Sequence, residues 1–105
     1  MSILQTNELI YKLKNAKDVY NVEGLIIKGL FGSYSRGEAN ENSDVDVLIE
    51  ATPEFANKYG FKSIQRLNEI ANELSVIFGK NVDLADSTGM GEAGKKFILD
   101  RAIYV

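Results

Sequence analysis

The chain of 105 residues contains no cysteine and no histidine. Without cysteine there is no disulfide framework and no thiolate site, which fits the cytoplasm. Without histidine the commonest general base and the commonest transition-metal ligand are both missing. Any metal must then be held by oxygen, which favours magnesium, calcium or manganese. There is no long apolar run, so no membrane-spanning helix is expected. The opening "MSILQTNELIYKLKN" mixes acid and amide with its apolar residues and lacks a small-residue cleavage site, so it does not read as a signal peptide. The net charge is -3. No stripe of Lys and Arg with interleaved aromatics occurs, so autonomous nucleic-acid binding is not expected. Repeats, low-complexity tracts and linkers are absent as well.

The hydrophobic fraction of 45% and charged fraction of 26% are those of an ordinary globular protein. The length suits one domain, residues 1–105, with a modest core. Residues 4–17 have helical spacing, with Leu9, Ile10, Leu13 and Ala16 near one face. Gly24 to Phe31, "GLIIKGLF", reads as a strand. Residues 32–43 are polar, with Gly32 and Gly37 as punctuation, and read as a turn plus a short helix or loop. "DVDVLIE", Asp44 to Glu50, alternates as a strand. Val45, Val47 and Ile49 fall on one face and Asp44, Asp46, Leu48 and Glu50 on the other.

Pro53, the single proline, reads as the end of that strand. Residues 61–78 give the clearest helix. Its stripe is Phe61, Ile64, Leu67, Ala71, Leu74 and Phe78, widened by Ile70 and Ile77. Gly79 suits a helix C-cap. "NVDLAD" reads as a short strand with Val82 and Leu84 opposite Asp83. A last helix is expected from about Glu92 to Arg101, followed by a short tail. The order predicts an α/β (α+β) fold: a small mixed sheet with helices packed on it.

Two aspartates two apart on a strand point the same way. Asp44 and Asp46 would repel each other, which raises a pKa and costs stability. A divalent cation removes the conflict. Convergent carboxylates, completed by water and substrate phosphates, are how proteins usually hold magnesium. Asp83 has a similar setting between two apolar residues. If its strand neighbours the first, three carboxylates converge. The bland alternative is that acids simply occupy the solvent face of half-buried strands.

Gly32 and Ser33 end the first strand. Gly32 allows close approach of a ligand. Ser33 offers a hydroxyl and a backbone N–H, and a helix starting there would add free N–H groups and its dipole. Arg36 is near enough in sequence to reach a phosphate. The alternative is an ordinary strand-to-helix turn. The P-loop ending Gly-Lys-Ser/Thr is absent. Together the turn and the acids suit phosphoryl or nucleotidyl transfer, in which positioning and charge stabilisation carry most of the catalysis.

Gly32-Ser33, ten residues, then Asp44-Val45-Asp46 resembles the Gly-Ser-X10-Asp-X-Asp signature of the nucleotidyltransferase superfamily, the fold of DNA polymerase beta. "GSYSRGEANENSDVDVLIE" is similar to the minimal nucleotidyltransferase (MNT) domain in detail. "NVDLAD" is similar to its third-carboxylate strand, and "FILDRAIYV" to its C-terminus. The resemblance covers most of the chain from Gly24 onward.

It implies that Gly32 and Ser33 bind the triphosphate of ATP, with Arg36 a weaker candidate for phosphate contact. It implies that Asp44 and Asp46 hold two magnesium ions. Asp83 would ligate the metal beside the acceptor hydroxyl or take its proton. Lys95, Lys96 and Arg101 are weaker candidates still, since helix-surface charges are usually solvated.

The resemblance also implies a partner, a HEPN-domain toxin that the chain silences as an antitoxin by transferring AMP to a tyrosine. The alternatives are a non-catalytic antitoxin or nucleotide-binding subunit that acts by contact alone, and an enzyme that adenylylates a small molecule. Tyr11, Tyr20, Phe55, Tyr59 and Tyr104 are candidates for a partner surface, or padding at the core edge.

Overall fold

The computed structural model describes residues 6–32, 40, 42–89 and 102–105. Helix α1 (Thr6–Asn21) leads into β1 (Leu25–Phe31). After a connection come β2 (Val45–Ala51), α2 (Pro53–Tyr59) and a 3₁₀ turn at Gly60–Lys62. Helix α3 (Ser63–Phe78) precedes β3 (Val82–Asp86), a second 3₁₀ turn (Ser87–Gly89) and β4 (Ile103–Tyr104). The strands form one sheet in the order β3-β2-β1-β4. β1 runs antiparallel to both β2 and β4, whereas β2 and β3 are parallel. The mixed sheet expected from the sequence is therefore present. Among the described residues no helix is long and apolar enough to cross a membrane.

The core lies between one sheet face and the helices. Leu9, Leu13, Ala16 and Tyr20 from α1 pack with Leu25, Ile27 and Leu30 of β1 and Val45, Val47 and Ile49 of β2. Phe55 of α2, Ile70, Leu74 and Phe78 of α3 and Val82 of β3 complete it. The alternation of "DVDVLIE" thus works as read: the β-branched residues face the helices and the acids face away. Leu48, on the acid-bearing face, is also fully buried but stands outside this cluster.

Register between β1 and β2 shifts between Ile27 and Gly29, leaving Lys28 as the extra residue of a bulge. The bulge resets the alternation of β1. Leu25 and Ile27 face the core before it, and Leu30 after it. Phe31 is thereby paired with Asp46 instead of pointing into the core. Gly29 is needed for another reason, because a Cβ there would lie 2.1 Å from the Ile103 carbonyl oxygen of β4.

Three details depart from the sequence reading. Pro53 ends β2 but also starts a helix, since proline suits the first helical turn, where its missing N–H has no partner to lose. Thr52 before it has extended angles, and its hydroxyl donates to the Gly24 carbonyl at 2.6 Å.

The stripe of the long helix also begins later than expected. Ile70, Leu74 and Phe78 are buried, while Phe61 is fully exposed and Ile64 is 74% exposed. The 3₁₀ turn at Gly60–Lys62 changes the chain direction before α3 starts, so Phe61 does not share the helix phase. Finally, the tail contributes a short strand, β4. The expected helix over residues 92–101 lies outside the described residues. Gly79 does cap α3, in the left-handed conformation at φ 70°, with its N–H donating to Ser75 O at 2.8 Å.

Candidate active site

Strand pairing gathers the candidate residues at one end of the sheet. Asp46 is the register partner of Phe31 on one side and of Asp83 on the other. Register partners share a face, so Asp46 and Asp83 project the same way, away from the helices. Asp44 lies just before β2, two residues from Asp46, and is exposed. Asp46 is half-buried and Asp83 exposed. The neighbouring-strand condition set by the sequence is met.

Gly32 follows β1 directly and touches Asp46. It has a left-handed φ of 74°. A Cβ at this position would lie 2.2 Å from Asp46 Oδ2 and 3.2 Å from its Cγ. A side chain is therefore barred twice, by backbone strain and by the carboxylate. Two motif elements separated in sequence meet at the level of atoms. Ser33 and Arg36, the other expected phosphate contacts, lie outside the described residues, as do Lys95, Lys96 and Arg101.

Full convergence of three carboxylates is not observed. Among the described residues no three acids stand close enough to ligate one ion. Like charges without a cation between them repel, and Asp44 and Asp83 both reach solvent, where that repulsion is screened. The donor set still suits magnesium, which takes hard oxygen ligands. It commonly uses only one or two carboxylates, with waters and phosphate oxygens filling the other positions. Asp46 and Asp83, partnered across adjacent strands, meet that requirement.

Two features escaped the sequence reading. The first is an open groove of about 500 Å³ between α3 and β3, with Asp83 in its wall. Asp86 also lines it, and its carboxylate accepts from the Thr88 N–H at 2.9 Å and the Thr88 hydroxyl at 2.7 Å. The second is a polar network on the helix side. Arg66 makes a two-pronged pair with Glu23, Nε to Oε1 at 2.7 Å and Nη2 to Oε2 at 2.6 Å. It also donates to Glu73 at 3.0 Å and Glu69 at 3.2 Å. The Tyr59 hydroxyl donates to Glu23, and that of Tyr20 to Glu73 at 2.7 Å.

These bonds hold Glu23 below the usual carboxylate range, chiefly through Arg66, and Glu73 likewise, chiefly through Tyr20 and then Arg66. The Tyr20 phenol is pushed up, first by burial and then by Glu73, and the Tyr59 phenol is raised by its bond to Glu23. Tyr20 and Phe55 are thus core residues, and Tyr59 is half-buried; only Tyr11 and Tyr104 of the five aromatics are exposed.

A mixed sheet backed by helices on one face, with acids of two neighbouring strands on the other, is the architecture of a minimal polymerase beta-like nucleotidyltransferase. A solved structure assigned as a minimal nucleotidyltransferase superposes over 100% of both chains with a TM-score of 0.76; at 24% identity, that likeness establishes the fold. The nucleotidyltransferase domain model matches residues 28–105, and the chain belongs to that family. The protein adenylyltransferase MntA of Thermococcus cleftensis is 34% identical over 77 residues, 73% of this chain and 71% of its own length. A chain in a solved toxin–antitoxin structure with AMP-PNP matches 96% of this one and 72% of itself, with a TM-score of 0.64 and 27% identity.

Proposed function

We propose that this chain transfers AMP from ATP to a hydroxyl, a tyrosine in the simplest case, of a partner HEPN-domain toxin, and so acts as its antitoxin. That would make it a protein adenylyltransferase of the EC 2.7.7 type. The carrying observation is the contact of Gly32 with Asp46, which is itself partnered with Asp83. The name of the Thermococcus relative and the toxin–antitoxin neighbour with its bound nucleotide analogue support the reading.

In this reading Gly32, Ser33 and Arg36 receive the triphosphate. Asp44, Asp46 and Asp83 would hold magnesium, two ions in the full site, which when bound neutralises charge on the phosphate oxygens and the departing pyrophosphate. The acceptor oxygen forms a bond to the α-phosphorus as the bond to the pyrophosphate oxygen breaks. The hydroxyl proton leaves to a nearby carboxylate, for which Asp83 is the candidate. Asp83, exposed on the edge strand, can meet an incoming acceptor, whereas Asp46 is packed against Gly32.

A second reading draws on the lack of a three-acid cluster among the described residues: the chain neutralises its partner by contact alone. Asp44→Asn combined with Asp46→Asn separates the two. Transfer predicts that this variant still binds the toxin but no longer protects cells from it. Protection retained by the variant would overturn the catalytic reading.

A further inference from the structure

The edge of β3 beside Asp83 is built differently from the rest of the sheet. Among the described residues β3 is an outer strand, paired with β2 alone. The Val45 N–H donates to the Asn81 carbonyl at 2.9 Å, with Val45 in register with Val82. Backbone groups alternate in direction along a strand, so Asp83 and Ala85 turn theirs toward β2. Val82 and Leu84 turn theirs outward. The Val82 N–H is taken by Ser75 Oγ of α3 at 3.0 Å. The Leu84 N–H and C=O have no such partner among the described residues.

Here α3 and β3 separate, and the groove opens. One wall is apolar, with Ile64 and Leu67, and Ile64 is 74% exposed. Asn68 and Asn72, one helical turn apart on α3, add two amides that make no hydrogen bond within the described residues. Among the described residues that line it, Asp83 and Asp86 are the charged ones, the Asp83 side chain turned to the acid-bearing face of the sheet. A volume of about 500 Å³ suits side chains of a bound ligand.

We propose that this groove binds the acceptor as an extended, basic polypeptide segment, which pairs with the outer edge of β3 and presents its hydroxyl side chain at Asp83. The proposal rests on the nucleotidyl-transfer reading above for the identity of the ligand. Main-chain bonds to Leu84 supply affinity that does not depend on sequence, as in other cases of strand addition. Apolar side chains of the segment meet Ile64 and Leu67, and its backbone or polar groups meet the two asparagines. Asp83 and Asp86 select lysine or arginine on the segment and disfavour acids. An apolar small molecule would leave the outward Leu84 groups and both amides unmatched, which favours a peptide.

The test uses the full isotope-labelled chain with AMP-PNP and magnesium. The probes are a short lysine-rich peptide with a central tyrosine and its glutamate-rich counterpart. Hydrogen exchange at the Leu84 amide is followed with and without each peptide. The lysine-rich peptide should slow it by about tenfold or more, and the glutamate-rich peptide should not. The surface variant N68K/N72K should lose the protection while keeping its melting temperature. The proposal is overturned by unchanged exchange at Leu84, by equal protection from both peptides, or by protection that rises with protein concentration without peptide, which would mark a second copy as the occupant. AMP transfer from ATP to the same peptide is read in parallel by mass. Protection without transfer contradicts the catalytic reading and leaves the groove assignment standing. Transfer without protection does the reverse.

Discussion

Gly32 is the residue on which the account turns most sharply. Its φ of 74° and the 2.2 Å approach of a would-be Cβ to Asp46 Oδ2 make it a packing surface for the carboxylate. Gly32→Ala must push Asp46 aside or shift the turn. A displacement of about 1 Å at a reacting group can cost about 10²-fold in rate. The expected outcome is a drop of that order in kcat/KM for AMP transfer, with a stability loss of about 1–3 kcal/mol from the strained backbone. Steady-state kinetics and thermal melting check both. A variant that keeps full activity would show that Gly32 serves the turn alone. This pairing was partly legible in the sequence: the motif named Gly32 and Asp46 as parts of one site. Their atomic contact was not, because it depends on the bulge at Lys28, and no local pattern announces a single extra residue in a strand.

At the scale of elements, two devices hold the frame on which the site is built. One is the network around Arg66, which ties the end of α1, through Glu23 and Tyr20, to α2, through Tyr59, and to α3. Arg66 and Glu23 are 16% and 15% exposed, so their pair belongs between the about 0–1 kcal/mol of surface pairs and the about 3–5 kcal/mol lost when a buried pair is broken. Arg66→Met is expected to cost about 2 kcal/mol near neutral pH.

Glu23 and Glu73 have folded pKa values below their unfolded ones. Their contribution is therefore present above the unfolded carboxylate pKa, about 4.3, and is lost as pH falls through the lower folded values. The difference in stability between wild type and Arg66→Met should shrink as pH falls below about 4, measured by urea unfolding across pH. A difference that grows on acidification would contradict the assignment. The other device is the β1–β4 pairing at Gly29. Gly29→Ala drives a methyl group into the Ile103 carbonyl and should cost about 1–3 kcal/mol as an overpacked site. It should also speed hydrogen exchange at the Val105 N–H, which donates to Lys28 O at 2.8 Å.

What the sequence conveyed about these elements follows from physical range. Strand alternation and the C-cap glycine are local, and β1, β2, β3 and α3 were readable from them. Helix α2 is seven residues long, too short to show a period, and its proline serves equally as a strand end and a helix start. The apolar run from Phe61 fits a helical stripe, yet the 3₁₀ turn breaks its phase. Arg66 has Glu69 and Glu73 on its own helix, but such surface charges are solvated by default, and its two-pronged pair with Glu23, 43 residues away, forms only in the tertiary fold.

At the scale of the molecule, the sheet order β3-β2-β1-β4 turns separate motifs into one site. It sets β2 between Gly32 and Asp83, so the phosphate-side turn and the third carboxylate flank Asp46. Among the described residues it also makes β3 an outer strand, the edge on which the proposed acceptor segment would pair beside Asp83. The helices cover the opposite face and are tied together there by the Arg66 network.

The central claim is transfer of AMP to that protein, and intact mass spectrometry tests it most directly. The full chain is incubated with magnesium, ATP and the protein that co-purifies with it, and the partner is weighed. The account predicts that the partner gains the mass of AMP with wild type and gains nothing with Asp46→Asn. An unchanged partner mass with wild type, in a sample where the complex has formed, would contradict it.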